Sequence, residues 1–355
     1  MRERSRSPNE GALLHAILDH ATRQPNAPAL IVGEGRLTWL DLAERVLAYG
    51  GMVRDAVAER GGRVAILGAN SLDHVVSYLA IVAAGRCAVP LPLSARPGVL
   101  SGMLADCAPD LVLFDEAGEA ALGAAPGTAS MRLGSAPTTR PLEAAVEAAP
   151  EAAFNIIYSS GTTGRPKGIV QPHMMRFRQS TRRAFGLGPD AVMLLATPLC
   201  SNTTLMPLLA TLAHGGCVVL MTGFDAACYL DLAERLRATH TMLVPVQYRR
   251  ILAVPEFTAR ELSAFRVKQS TGAPMDAETR RRASREWPGK LLEIYGLTEG
   301  GCTCILDHEA EPDKDGTVGR PAPGCEVRIV DEFGRAVPRG ETGEIVGRSP
   351  MMMSG

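Results

Sequence analysis

Apolar and polar positions along this chain switch between a helical and a strand period. Residues 11 to 22 set Leu13, Leu14, Ile17, Leu18 and Ala21 on one helical face. Leu30-Ile31-Val32 reads as a short strand with Gly33-Glu34-Gly35 as its turn. Thr38 followed by Asp41 forms a capping-box pattern and opens a helix from Leu40 to Val53. Arg63 to Gly68 reads as a buried strand, Leu72 to Ala84 as an apolar helix, and Cys87 to Leu91 and Leu111 to Phe114 as further strands. The stretch 115–152, rich in Ala, Gly, Pro and Thr, reads as a loosely structured connection. Beyond it the alternation resumes: strand Phe154 to Tyr158, strand Val192 to Thr197, helix Leu205 to Ala213, strand Cys217 to Met221, helix Ala226 to Ala238 and strand Met242 to Val244. From about Val318, short strands at Glu326–Val330 and Gly343–Gly347 alternate with Gly-rich turns.

This order predicts an α/β protein. Two doubly wound α/β subdomains are expected over residues 1–150 and 151–317, then the start of a small β-rich third subdomain over 318–355. With 355 residues, the chain exceeds what one hydrophobic core serves. At 46% hydrophobic and 21% charged residues it is an ordinary globular composition, and a net charge of -1 gives no footprint for nucleic acid or anionic membrane. No apolar run reaches the roughly 18 residues of a transmembrane segment. The basic start Met-Arg-Glu-Arg-Ser-Arg-Ser lacks an apolar segment behind it and reads as a short tail, not a secretory signal. The eight cysteines are scattered, and only Cys302 and Cys304 are close; reduced, mostly buried thiols and a cytoplasmic location are expected, without a metal-thiolate site.

The richest segment chemically is Tyr158-Ser159-Ser160-Gly161-Thr162-Thr163-Gly164-Arg165-Pro166-Lys167-Gly168, directly after an apolar strand. Glycines let backbone amides approach an oxyanion, hydroxyls donate to its oxygens, and a lysine supplies charge. Pro166 occupies the position where a Walker A loop requires Gly, so this is a different phosphate loop. A flexible linker would not need the rigid Pro-Lys-Gly ending.

The segment resembles the signature loop of the adenylate-forming superfamily, which holds acyl- and aryl-CoA synthetases, peptide-synthetase adenylation domains and firefly luciferase. Three further segments are similar to that family's motifs: Ser270-Thr271-Gly272-Ala273-Pro274-Met275, Glu293-Ile294-Tyr295-Gly296-Leu297-Thr298-Glu299 and Gly340-Glu341-Thr342-Gly343-Glu344-Ile345. Jointly they span essentially the whole chain.

The resemblance implies an ATP-dependent ligase. A carboxylate oxygen would attack the α-phosphate of ATP, giving acyl-AMP and pyrophosphate, and CoA would then take the acyl group. Two anions must meet, so the catalysis is charge neutralisation and positioning. Ser159, Ser160, Gly161, Thr162, Thr163, Gly164 and Lys167 would hold the β- and γ-phosphates. Thr298 would contact the α-phosphate, and Glu299 would help hold Mg²⁺, which suits carboxylate and phosphate oxygens. Tyr295 would stack on adenine, opposite a wall of Gly272, Ala273 and Pro274, with Glu293 and Ile294 also bordering the nucleotide. Lys167, Thr298 and Glu299 are the implied catalytic residues.

Ser201, Asn202, Thr271, Gly272, Gly296 and Leu297 would border the small carboxylic acid. Ser201 stands where many acyl-CoA synthetases carry a His, and Glu293 where many relatives carry Gln or Asn. Asn202 could bond a polar substituent of the acid, or Ser201, Asn202 and Thr203 could cap the helix that follows. No Asp occurs between Pro198 and Leu212 to hold an amine, which favours a fatty, aryl or other small organic acid over an amino acid. Arg176, Arg178, Arg182 and Arg183 read as a solvated helix face, with CoA phosphates as the alternative, and His173 as a structural histidine.

The family continues past the motif at Gly340–Ile345 with a Thr-Gly-Asp motif and a mobile C-terminal domain carrying a lysine. The resemblance therefore implies a truncated chain. Two alternatives stand beside the CoA ligase: an enzyme that loads a carrier-protein thiol, and a non-catalytic nucleotide- or acyl-binding module. A homodimer is an option for its assembly.

Overall fold

The structure is a computed structural model that describes residues 10–123, 127–159, 166–183, 185–301 and 303–355. The chain opens with α1 (Leu13–Leu18) and α2 (His20–Arg23), the hairpin β1 (Pro28–Val32) and β2 (Gly35–Thr38), and the long α3 (Trp39–Ala56). There follow β3 (Arg63–Leu67), α4 (Leu72–Ala83), β4 (Cys87–Pro90), α5 (Pro97–Cys107), β5 (Leu111–Phe114), α6 (Glu116–Leu122) and β6 (Ser130–Arg132). The middle contains β7 (Ala153–Ser159), β8 (Lys167–Pro172), α7 (His173–Thr181), β9 (Val192–Leu195), α8 (Asn202–Ala213), β10 (Cys217–Leu220), α9 (Ala226–Arg235), β11 (His240–Leu243) and α10 (Pro245–Leu252). The last part has β12 (Val267–Thr271), α11 (Ala277–Arg285), β13 (Lys290–Tyr295), β14 (Cys304–Asp307), β15 (Arg320–Pro321), β16 (Glu326–Val330) and β17 (Glu344–Arg348).

Among the described residues these strands build three sheets. A nine-stranded sheet runs β15-β14-β13-β12-β11-β9-β10-β1-β2, a six-stranded sheet runs β6-β5-β3-β4-β7-β8, and β16 pairs with β17 alone. The centres of the two large sheets are parallel; β14, β15 and β2, and the pair β7–β8, supply the antiparallel edges. This is the expected α/β class with a small β-rich piece. Parallel strands buried on both faces need continuous apolar runs, and β3, β10 and β4 provide them. One core joins the sheets: Leu42 and Val46 of α3, Val76 and Leu79 of α4, and Leu205 and Leu208 of α8 are buried in a single cluster.

The capping box at Thr38 forms as expected, with the Asp41 amide donating to Thr38 Oγ1 at 3.2 Å and the Thr38 amide to Asp41 Oδ2 at 2.9 Å. Other local expectations change. The helix over 11–22 breaks at Asp19 into α1 and α2. Residues 35–38 form a strand, not only a turn, because the edge of the larger sheet offers β1 a partner. The stretch 115–152 contains α6, capped by Asp115 Oδ1 accepting from the Gly118 amide at 2.8 Å, and β6, which extends the smaller sheet beside β5.

The arginine run departs most. Arg176 is fully buried, not solvated, with Nε donating to Asn155 Oδ1 at 2.8 Å. Arg178 pairs with Glu10 and with the Pro350 carbonyl, both at 2.6 Å. Arg183 alone is exposed. His173 is buried edge-on against Phe154, and desolvation pushes its imidazole down to about 4.

Candidate active site

Three segments carry the candidate site, two of which follow the carboxyl ends of the parallel strands β12 and β13, the place where open α/β sheets bind ligands. The first is the β7–β8 connection. Ser159 ends β7 opposite Lys167, which begins β8 exposed. Ser160, Gly161, Thr162, Thr163 and Gly164, expected to cradle phosphates, lie outside the described residues. Tyr158 pins this end of β7 to α5, its hydroxyl donating to Asp106 Oδ2 at 2.6 Å.

The second segment follows β12. Thr271 Oγ1 donates to the Ile294 carbonyl at 2.9 Å, locking β12 to β13. Gly272 then turns at φ +87°, a left-handed conformation suited to glycine. The third segment follows β13 and carries Tyr295, Gly296, Leu297, Thr298 and Glu299.

Two cavities meet at these segments. One, of about 480 Å³, is bordered by Gly272, Ala273, Pro274, Glu293, Ile294, Tyr295 and Gly296. The other, of about 170 Å³, is bordered by Asn202, Thr271, Gly272, Ile294, Gly296, Leu297 and Thr298. Gly272, Ile294 and Gly296 border both, so the two spaces are separated by backbone and one isoleucine. A third recess of about 20 Å³ continues from the second past Met206 and Met242, lined by Phe185, Leu187 and Met193.

Glu293 is a half-buried ion-pair centre. It accepts from Arg280 Nε at 2.6 Å and from His308 Nε2 at 2.7 Å. Burial pushes its carboxyl up, but the bonds and charges of His308 and Arg280 outweigh that and hold it below the usual range. Glu299 and Thr298 sit on the turn into Gly300. The backbone carbonyls of both are bonded, and among the described residues the Glu299 carboxylate and the Thr298 hydroxyl have no hydrogen-bond partner. A single carboxylate of this kind would suit Mg²⁺, which keeps waters and takes substrate phosphates as its other ligands. Among the described residues no cluster of three or more His, Cys, Asp or Glu forms an all-protein metal site.

The position of Thr298 is set by a buried chain that sequence reasoning missed. Gln171 of β8 donates from Nε2 to the Thr298 carbonyl at 2.8 Å and accepts on Oε1 from Asn155 Nδ2 at 3.0 Å. Asn155 Oδ1 in turn accepts from Arg176 and, at 3.3 Å, from the Tyr78 hydroxyl. Strands β7 and β8 and the Thr298–Glu299 turn are thereby tied together by side-chain hydrogen bonds. The residues 353–355 close over it, with the Met353 amide on the Glu299 carbonyl at 2.9 Å and the Val170 amide on the Gly355 carbonyl at 2.8 Å. A local signal existed: Asn155 and Gln171 are polar residues inside apolar strands, where each needs a buried partner.

Ser201 and Asn202 divide between the two expected roles. Ser201 caps α8, its Oγ accepting from the Thr203 amide at 3.2 Å. Asn202 faces the smaller cavity, with Oδ1 buried and without a partner among the described residues. Arg182, expected on a solvated helix face, borders the same cavity, as does Gln179.

Residues 17–355 match the family described as AMP-binding enzyme. The chain is 33% identical to a feruloyl-CoA synthase of an Amycolatopsis sp over 94% of this chain and 69% of that protein. It is 27% identical to the nonribosomal peptide synthetase ivoA of Emericella nidulans, over 97% of this chain and 20% of that protein. The solved amide bond synthetase McbA from Marinactinospora thermotolerans superposes with a TM-score of 0.85 at 28% identity, over 97% of this chain and 72% of that one. The fold, the convergent motifs and these similarities show that the chain belongs to the AMP-binding enzyme family, the adenylate-forming superfamily.

Proposed function

We propose that this protein activates a small organic acid, fatty or aryl and not an amino acid, as its acyl-AMP, and passes the acyl group to the thiol of CoA. The observation that carries this reading is the pair of cavities meeting at Gly272, Ile294 and Gly296, with Thr298 on the rim of the smaller. The acid carboxylate would approach the α-phosphate there, an oxygen–phosphorus bond forming as the bond to the pyrophosphate oxygen breaks. Thr298 would donate to the α-phosphate, and Lys167, exposed at the start of β8, would meet the outer phosphates. Tyr295 would cover the adenine from its place in the larger cavity. Glu299 would hold Mg²⁺, which supplies charge neutralisation for the polyphosphate. Thiol attack on the acyl carbonyl would then release AMP.

The similarity to feruloyl-CoA synthase supports an aryl acid and CoA; the similarity to a peptide synthetase keeps a carrier-protein thiol as the second acceptor. No helix among the described residues is long and apolar enough to cross a membrane; the cytoplasmic location is proposed on the scattered spacing of the cysteines in the sequence. ATP–pyrophosphate exchange by the full-length protein over a panel of aryl, fatty and amino acids, followed by CoA or carrier protein, tests the reading. Exchange with amino acids alone, or with no acid, refutes it.

A further inference from the structure

The smaller cavity holds a charge that no carboxylate among the described residues neutralises. Arg182, just past the end of α7, borders both this cavity and the recess behind it. It is half-buried, which lowers its guanidinium pKa, and among the described residues no carboxylate pairs with it. Its recorded partner is the ring of Phe185, 5.5 Å from the guanidinium carbon, and a ring face compensates a buried cation far less than an anion does. Phe185 is itself held at φ +65°, uncommon for a bulky residue, and His240 Nε2 donates to its carbonyl at 2.8 Å. Strain of that kind persists where the surroundings fix it, and here it fixes the platform under Arg182. Beside it, Gln179 has its Oε1 occupied by Arg176 Nη1 at 3.3 Å, which leaves the Nε2 donors without a partner among the described residues. The N-terminal turn of α8, at Asn202 and Thr203, borders the same space and adds a partial positive charge.

We propose that this corner of the cavity is an anion subsite centred on Arg182, so that the preferred substrate is a small dicarboxylic acid. One carboxylate is adenylated near Thr298 and the other pairs with Arg182, assisted by Gln179. This rests on the reading of the smaller cavity as the acid site. An aromatic or short aliphatic spacer suits the rest of the lining, which includes Met206, Met242 and Ile294.

The test uses the full-length protein and matched pairs: glutaric, adipic and isophthalic acids against their monomethyl esters, in ATP–pyrophosphate exchange. The same acyl groups, as acyl sulfamoyl adenosines, give dissociation constants by calorimetry. The wild-type protein is expected to prefer a diacid over its ester. Arg182→Met, which removes the charge at similar volume, is expected to lower that preference roughly 10²-fold in both kcat/KM and affinity, and Arg182→Lys to restore part of it. Equal preference in the wild type, or an equal loss on diacid and ester in Arg182→Met, overturns the subsite. So does a raised KM for CoA with no change in the acid ratio, which would make Arg182 a CoA-phosphate contact. A wild-type protein that exchanges with monoacids and favours them overturns the dicarboxylate while leaving the acid site standing. One that binds none of the sulfamoyl adenosines overturns the acid site as well.

Discussion

Gln171 offers the sharpest test of how this fold holds its chemistry. The side chain is fully buried and bridges β8 to the turn that carries Thr298 and Glu299. Gln171→Met keeps the approximate volume and removes both polar ends. It strands the Asn155 Nδ2 donor, bonded at 3.0 Å, and the Thr298 carbonyl, bonded at 2.8 Å. Each stranded buried group costs about 1–3 kcal/mol, so the variant should lose roughly 2–6 kcal/mol and melt about 3–8 °C lower. The turn would keep its other ties, the Gly300 amide on the Leu297 carbonyl at 3.0 Å and the Met353 amide on the Glu299 carbonyl at 2.9 Å. It should therefore shift and not unfold. A displacement on the order of 1 Å of a positioned group lowers a rate by about 10²-fold, so ATP–pyrophosphate exchange should fall by that scale well below the melting range. Gln171→Glu, which sets an acceptor against the Thr298 carbonyl, should lower exchange at least as far. The assay is exchange at 20 °C alongside a thermal melt. A lowered Tm with wild-type exchange would show that Gln171 only stabilises the fold, and the positioning argument would be wrong.

Glu299→Ala should lower exchange about 10²-fold or more, as loss of one electrostatic contact in a transition state does, and wild-type exchange in that variant would remove Glu299 from the mechanism. Gly272→Ala should destabilise by about 1–2 kcal/mol from its positive φ, since the nearest atom to an added Cβ, Val244 Cγ1 at 3.4 Å, leaves room for it; it should also raise KM for both ATP and acid, measured by exchange kinetics. Glu293 has a depressed carboxyl, so its stabilisation is complete above the ordinary carboxylate pKa of about 4.3 and is lost as pH falls through the lower folded value. Melts of wild type from pH 7 to pH 3 should show that acid limb, and Glu293→Gln should flatten it; superimposable acid limbs would refute the assignment.

The order of strand-like and helix-like runs was enough to determine the α/β class, because buried parallel strands and amphipathic helices write their periods into any chain. Resemblance to the family's motifs, and no local period, pointed to the segments that follow β12 and β13. The capping box at Thr38 was legible locally, being satisfied within one turn. What the sequence could not decide were matters of partnership across the fold. Arg176 and Arg182 read as one solvated face with Arg178 and Arg183. Packing put Arg176 against Asn155 and turned Arg182 into the cavity, since a helix face becomes solvent or core only when its neighbour docks. Ser201 and Asn202 were interchangeable candidates until the start of α8 gave one the cap and the other the cavity. Residues 35–38 became a strand because β1 joined an edge that lies nearly two hundred residues further along the chain, beside β10. The carbonyl of Thr298 is held by Gln171 across a comparable interval of 127 residues, and that bond exists only in three dimensions, because a buried amide finds its partner by proximity and no local pattern encodes it.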